Sequence, residues 1–365
     1  MKKSAKPTNE VAHHRLLHQQ IHHARGESVG DIVASLGAMQ AQDYPGALWA
    51  IGLRRPGVTE AAVEKAIAER QIVRTWPMRG TLHFVAPADI RWLLKLLTPR
   101  IVAGAAERRK RLELDDATFA KCEKAFVKAL QGGKQLTRDE MQQVAERAGV
   151  RVDAQRSYHI FWRLAQEGVL CFAARQGKQQ TFALLEEWVP KARPLEREAA
   201  LAELARRYFT SHGPAQLRDF VWWSGLRVIE ARTALELASA KLAKVTLEGE
   251  TYWRSPEQHT APHPPATAYL LPGFDEYLLG YKDRSAVLDK AHAEKIVPGS
   301  NGMFLASVVL HGRVAGTWKK TPKKNVTVIT VNPFAGLKKA EKEAIAVAAE
   351  QYGRFMNQPV ETAFA

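Results

Sequence analysis

"QIVRTWPMRGTLHFV", residues 71–85, decides the fold. Two runs of β-branched and aromatic residues flank Pro77–Gly80, and that pattern predicts a hairpin. Helical signals precede it. Leu17 and Ile21 mark one face of a first helix. Ser28-x-x-Asp31 is a capping box that opens a second, in which Ile32, Leu36 and Met39 recur at i, i+4, i+7. Thr59 caps a third, reaching about Glu69. Helix, helix, helix, hairpin is the order of a winged helix-turn-helix.

The order recurs. "LTRDEMQQVAERAG" carries the capping box Thr137-x-x-Glu140 and the stripe Met141, Val144, Ala145, Ala148. "RSYHIFWRLAQEG" follows, and "VLCFAARQGKQQTFALL" reads as a hairpin turning at Gly177. Ile72 to Gly80 and Val169 to Gly177 are the same distance apart in the chain, so the two wings match in layout. A shorter third copy has a helix, "GPAQLRDFVWWSGL" with Pro214 suited to a first helical turn, a helix through Ala240, and the hairpin "KVTLEGETYW". Outside these copies, residues 1–10 have the composition of a disordered tail and the Pro-rich residues 256–265 that of a linker. "ATAYLLPG", "GMFLASVVLHGRVAGTWKK" and "NVTVITVNPF" are short β-branched runs separated by Gly, Pro and Asn. The expected class is α+β: three tandem winged-helix units over 11–115, 116–190 and 191–255, then over 266–365 a small antiparallel β-barrel-like domain closed by a helix.

The charge balance limits the partner. The 365 residues include 53 Lys and Arg against 38 Asp and Glu, a net +15, which suits a polyanion, with nucleic acid ahead of an anionic membrane surface. Cys122 and Cys171 stand apart with no C-x-x-C, so a thiolate zinc site is excluded and a reducing compartment is expected. "MKKSAKPTNE" has no apolar run behind it, which is not the pattern of a secretory signal. No run reaches the ~18 apolar residues that a membrane span needs.

"SLGAMQAQDYPGALWAIGLR", residues 35–54, poses the functional question. Gln40 and Gln42 are two apart, roughly 200° around a helix. They share a face only if the backbone is extended. Either they are two surface amides at a helix end, or the chain leaves the helix near Met39 or Gln40 to aim both at one place.

"MQAQDYPGALWAIGLR", "RTWPMRGTLHFV", "FDEYLLGYKDR" and "GRVAGTWKK", in this order, resemble the winged-helix DNA glycosylases of the AlkZ/YcaQ type over nearly the whole chain from residue 12. The resemblance implies three tandem winged helices and a β-barrel domain forming a C-shaped DNA clamp. It implies excision of N7-alkylated purines, including bulky adducts and interstrand crosslinks. The family's catalytic motif, Gln-apolar-Gln in one branch and Gln-apolar-Asp in the other, falls on Gln40, Ala41 and Gln42 and places the chain in the Gln/Gln branch.

The chemistry suits neutral amides. N7-alkylation makes the base a cation and an activated leaving group, so little general-acid help is needed. What remains is to stabilise an oxocarbenium-like sugar and hold a water, by positioning and electrostatics. Asp43 is a candidate base or a residue of the turn before Pro45. Asp275, Glu276 and Asp283 are either a carboxylate site or an ion-pair network beside Arg284.

Arg74, Trp76, Arg79 and His83, on or beside the first wing, are candidate DNA contacts, with Arg284. Trp76 equally suits a core. Lys319, Lys320, Lys323 and Lys324 on "WKKTPKKN" are candidates for gripping the DNA backbone or entering a groove, or else form a solvated turn. His14, His18 and His22 have metal-compatible spacing but no supporting carboxylate or Cys, so a solvent- or DNA-facing helix is the better reading. No metal and no cofactor are expected. The partner expected is double-stranded DNA containing alkylated purines, bound by a monomer without membrane attachment, in a bacterial cytoplasm at the nucleoid. The rival function is a non-catalytic winged-helix regulator, which usually carries one unit and dimerises. A nuclease would need an acidic metal cluster that the sequence lacks.

Overall fold

A computed structural model describes residues 10–23, 28–247, 249–257 and 267–365. The expected tail before Glu10 and most of the expected linker lie outside the described residues. The fold is mixed α+β. Helix α1 (Glu10–His18) comes first. Then follow α2 (Val29–Leu36), β1 (Met39–Gln40), α3 (Tyr44–Arg54), α4 (Glu60–Ala68), β2 (Val73–Met78) and β3 (Thr81–Val85). After α5 (Ile90–Gly104) and α6 (Ala106–Arg111), the same order returns. It runs α7 (Asp116–Leu130), β4 (Leu136–Thr137), α8 (Arg138–Arg147), α9 (Ala154–Gln166), β5 (Leu170–Phe172) and β6 (Thr181–Leu184).

These strands form one six-stranded sheet in the order β1-β3-β2-β5-β6-β4, which reads alike from either edge. In each half the short first strand pairs with the second hairpin strand. The halves meet where Arg74 pairs with Phe172. After α10 (Leu185–Trp188) comes a third instance: α11 (Arg197–His212), α12 (Leu217–Ser224), α13 (Val228–Ala238), β7 (Ala243–Leu247) and β8 (Glu250–Arg254). There a single bridge, Ala215 to Trp253, takes the place of the short strand. Pro214 precedes α12 rather than opening it.

Local chemistry explains these elements. Both capping boxes form, Ser28 with Asp31 and Thr137 with Glu140. Pro77 has no N–H to give the ladder, and the β2–β3 register shifts between Thr75 and Met78. Arg79 and Gly80 then turn the hairpin with φ of 53° and 70°. Two consecutive positive φ values are the type I′ requirement that Gly meets at least cost.

Two expectations are corrected. Helix α1 does not present a histidine face to solvent. His18 and Arg15 are buried, Arg15 Nε donates to Pro214 O at 3.1 Å, and its guanidinium stacks 3.6 Å over Tyr281. The C-terminal sheet is not a closed barrel. Its strands are β9 (Ala268–Leu271), β10 (Ser307–Leu310), β11 (Arg313–Pro322), β12 (Thr327–Pro333) and β13 (Val360–Phe364), in the open order β13-β12-β11-β10-β9. Helix α14 (Lys339–Met356) carries the chain back across the sheet, so β13 pairs parallel to β12 and lies at an edge.

The first and last parts of the chain share one core. Trp49 packs on Tyr352 and Phe355 with ring centroids 4.9 and 5.1 Å apart, and its indole N–H donates to Leu270 O at 2.7 Å. Arg54 completes the union. All five of its N–H groups are used: on Gln19 O, Ala50 O, Gln19 Oε1 and both oxygens of Asp275, at 2.8–3.0 Å. Both ion-pair partners are buried. Replacing Arg54 with Met leaves Asp275 as an unpaired buried charge, and the expected loss is about 3–5 kcal/mol of stability, read by denaturant unfolding.

Candidate functional site

The chain leaves α2 earlier than the sequence suggests. Gly37 caps the helix with φ 80°, and Met39 and Gln40 are already extended, paired with Phe84 and His83. The ladder then ends in an unusual exchange. Ala41 N donates to Leu82 O at 2.7 Å. Its carbonyl instead takes the Arg74 guanidinium, Nε at 3.1 Å and Nη2 at 2.9 Å. The Gln42 side chain supplies the missing acceptor, Oε1 receiving Leu82 N at 3.3 Å. Gln40 Oε1 in turn receives Gln42 N at 3.1 Å.

A backbone N–H can only donate, so these contacts fix which amide atom is oxygen in both side chains. Each oxygen keeps one lone pair, and each amide keeps donors. Gln42 is exposed while Gln40 is nearly buried. Asp43 is exposed at the start of α3, where it caps nothing with its side chain.

Several residues expected at the DNA surface lie inside. Arg74 is buried between the Tyr44 and Phe172 rings, each 4.9 Å from its guanidinium, and its remaining arm reaches Gln180 Oε1 at 3.2 Å. Burial pulls its pKa down to about 10, which leaves it charged. Trp76 is buried against Phe172 and Tyr158. With Leu82, Tyr158, Phe172 and Phe182 it lines a cavity of 420 Å³ on the Arg74 face of the sheet.

His83 has no exposed surface. Its Nδ1 faces Thr81 O at 2.9 Å and must carry the proton, so Nε2 accepts from Arg79 Nη2 at 3.2 Å. Burial first, and the Arg79 charge second, push His83 down to about 3, so it is neutral. Arg79 keeps part of its surface at the hairpin turn, but its guanidinium is buried, which lowers its pKa, while the Glu276 charge acts to raise it.

The acidic cluster is split up. Asp275 belongs to Arg54, and Asp283 pairs with Arg218 at 2.7 Å on the surface. Glu276 alone reaches the motif. Its Oε1 accepts Gln40 N at 3.0 Å, while Oε2 accepts Trp223 Nε1 at 3.0 Å and faces His212 Nε2 at 3.4 Å. Burial acts to raise the Glu276 pKa, but the His212 hydrogen bond and the Arg79 charge outweigh it and hold it near 2. His212 itself is pushed down by burial, stacked 4.8 Å from Tyr208. We take Glu276 as the ionised member of this pair, because two neutral N–H donors and a nearby guanidinium all favour its anion. Nothing local in the sequence links Trp223 or His212 to Gln40.

Arg284 is half-buried between Trp222 and Phe304, its guanidinium 5.4 and 4.8 Å from the two rings, with Nε on Leu278 O. Lys319 and Lys320 lie within β11, and Lys323 and Lys324 occupy the turn before β12. All four are exposed, but Lys320 Nζ donates to Tyr352 OH at 2.8 Å. Among the described residues no group of His, Cys, Asp and Glu is arranged to hold a metal, and no helix is long and apolar enough to cross a membrane.

The model of the family described as "DNA glycosylase AlkZ-like" matches residues 33–355. The chain is 28% identical over 349 residues to the interstrand DNA cross-link repair glycosylase of Streptomyces sahachiroi, covering 88% of this chain and 90% of that one. The solved structure of the Streptomyces sahachiroi DNA glycosylase AlkZ shares the fold, with a TM-score of 0.80 at 24% identity over 97% of this chain and 99% of that one.

The neutral His83 carries a pH signature. Its ordinary pKa is 6.5 and its folded one is about 3. Above pH 6.5 neither state binds the proton. Below it the unfolded chain does and the folded chain does not, so stability falls as pH falls, by about 1.4 kcal/mol per pH unit for one group. Melting temperature measured from pH 7 down to 5 should drop, and His83→Asn should make the drop shallower.

Proposed function

The chain belongs to the DNA glycosylase AlkZ-like family, whose members cleave N-glycosyl bonds of DNA, and from that premise we propose that it removes N7-alkylated purines, bulky and crosslinked ones included, through Gln40 and Gln42. The observation that carries this reading is the exchange at the end of β1. Two neutral amides are locked in orientation by backbone donors, and one is presented to solvent.

The proposed step breaks the C1′–N9 bond of a cationic N7-alkylguanine. The bonding pair leaves with the base, which departs neutral. Water adds to C1′ of the oxocarbenium-like sugar and gives its proton to solvent, leaving an abasic site. The spare lone pair of Gln42 Oε1 accepts from that water, and Gln40 holds Gln42 in place. Arg74 keeps the Ala41 carbonyl out of the ladder, which leaves Leu82 N for Gln42.

The recurring helix–strand–helix–helix–hairpin order supports three tandem winged helices over 11–115, 116–190 and 191–255. The shared core of the first unit and the C-terminal sheet suits a clamp closed around a duplex by a monomer at the bacterial nucleoid. Arg284 and the lysines of the β11–β12 hairpin are the proposed phosphate contacts. Arg74, Trp76, Arg79 and His83 are assigned to shaping the site instead.

Single-turnover excision on a duplex bearing one N7-methylguanine tests the motif. Gln40→Ala and Gln42→Ala should each slow base release, on the order of 10–1,000-fold, with DNA affinity nearly unchanged. The double variant should be slowed by clearly less than the product of the two effects, because one misplaced water defeats both groups. Gln42→Asp should retain activity, and Asp43→Asn should matter little. Excision by the double variant at the wild-type rate would refute the motif, and no abasic sites at all from the wild type would favour the non-catalytic DNA-binding reading.

The clamp has its own test. DNA affinity should fall steeply with salt, and Lys319→Ala/Lys323→Ala/Lys324→Ala should flatten the log–log slope by about 0.9 for each phosphate left without its lysine. Affinity unchanged between dilute and physiological salt would rule out this mode of binding.

A further inference from the structure

The two glutamines can orient a water, but neither carries a charge to set against the cation that forms on the sugar. An anion is bonded to the motif's backbone: Glu276 accepts the Gln40 N–H. We propose that Glu276 is the buried counter-charge of the reaction: a positioning residue that fixes Gln40 through its backbone N–H and lowers the energy of the oxocarbenium-like sugar through space. This rests on the reading of Gln40 and Gln42 given above.

Placement and donors carry the argument. Glu276 is 2% exposed, and among the described residues it is the carboxylate hydrogen-bonded to the motif's backbone. Asp275, its neighbour, is neutralised by the Arg54 fork, and Asp43 lies in solvent, where charge is screened. Groups from five parts of the chain face Glu276. The Gln40 N–H comes from β1 and the Trp223 indole from α12. His212 and Tyr208 come from α11, and Arg79 and the neutral His83 from the β2–β3 hairpin. Gln19 Nε2 donates to the Glu276 carbonyl at 3.3 Å.

Only Arg79 among these is a fixed cation; its guanidinium is buried, Glu276 is the charge that favours its protonated form, and His83 engages one of its nitrogens. The carboxylate uses both oxygens, one on the Gln40 N–H and one on the Trp223 indole, and buried Arg79 is its charge partner.

The test is equilibrium binding, so it does not depend on the motif's catalytic role. Two duplexes are compared. One carries a pyrrolidine abasic analogue, protonated where the oxocarbenium would be positive; the other carries a neutral tetrahydrofuran abasic analogue. The wild type should prefer the charged analogue, on the order of tenfold or more. Glu276→Gln, checked by melting, should lose that preference while binding the neutral analogue as before. A merely structural role would weaken both alike. A wild type that binds the two analogues equally would overturn the proposal, and that comparison stands even if Glu276→Gln does not fold. Glu276→Gln that folds and keeps the full preference would overturn it too. Loss of the preference alongside unimpaired excision by Gln40→Ala/Gln42→Ala would keep the counter-charge and discard the glutamine motif. The reverse pattern would discard Glu276 alone.

Discussion

The architecture depends on one buried guanidinium. Arg54 ends helix α3, and its five N–H groups are shared among α3 itself, the turn after α1 and Asp275. Asp275 begins the short helix that carries Glu276, accepting Tyr277 N at 2.9 Å. The pair therefore does more than join two distant parts of the chain. It sets where Glu276 lies, and Glu276 holds the N–H of Gln40. A buried ion pair is poor evidence for net stability, since desolvation offsets its attraction. Its value here is directional: planar, bidentate and saturated, it admits one arrangement of α1, α3 and the C-terminal segment.

The same economy of polar groups shapes the motif. An edge strand that stops after two paired residues leaves a donor and an acceptor without ladder partners. Leu82 N and Ala41 O are those groups. One is met by Gln42 and the other by Arg74, so the strand end is satisfied partly from within the motif and partly from β2. Ala41 is fully buried under this arrangement, which explains why the middle position is small and apolar. Side chains held this way, in the catalytic role proposed for them, lose little entropy on binding substrate, because their rotamers are already set.

What could be read from the sequence was local. The capping boxes and the hairpin turns rest on contacts within a few residues, and they form where the pattern placed them. Helix α3 shows no such pattern, because Ala47 to Arg54 are buried without interruption and leave no amphipathic stripe to see. Strand β13 pairs parallel across a helical crossover, a contact with no local signal. Arg74 and His83 read as surface residues because Arg and His usually are. Their partners, Ala41 O and Arg79, bring them inside, and burial together with Arg79 makes His83 neutral. Glu276 was visible only as one of three acids. Separating it from Asp275 and Asp283 required three-dimensional placement.

The site separates its charges by depth. Cations that suit phosphate lie at the surface, on the β11–β12 hairpin. Neutral amides lie at the edge of the sheet, and Glu276, the anion bonded to the Gln40 backbone, is beneath them. For the proposed substrate, which starts as a cation on the base and passes through a cation on the sugar, this ordering is favourable at each stage. Surface cations draw the polyanion in without competing at C1′, since water and salt screen them within about 10 Å. Amides in the middle neither repel the cationic base nor trap it. A carboxylate placed directly against the sugar would bind the cationic ground state as well as the transition state, and uniform binding of that kind does not accelerate the bond-breaking step. Set one layer back and fixed by Gln40, Trp223 and His212, its field is constant while the positive charge moves from the base toward the sugar, and it therefore favours that movement.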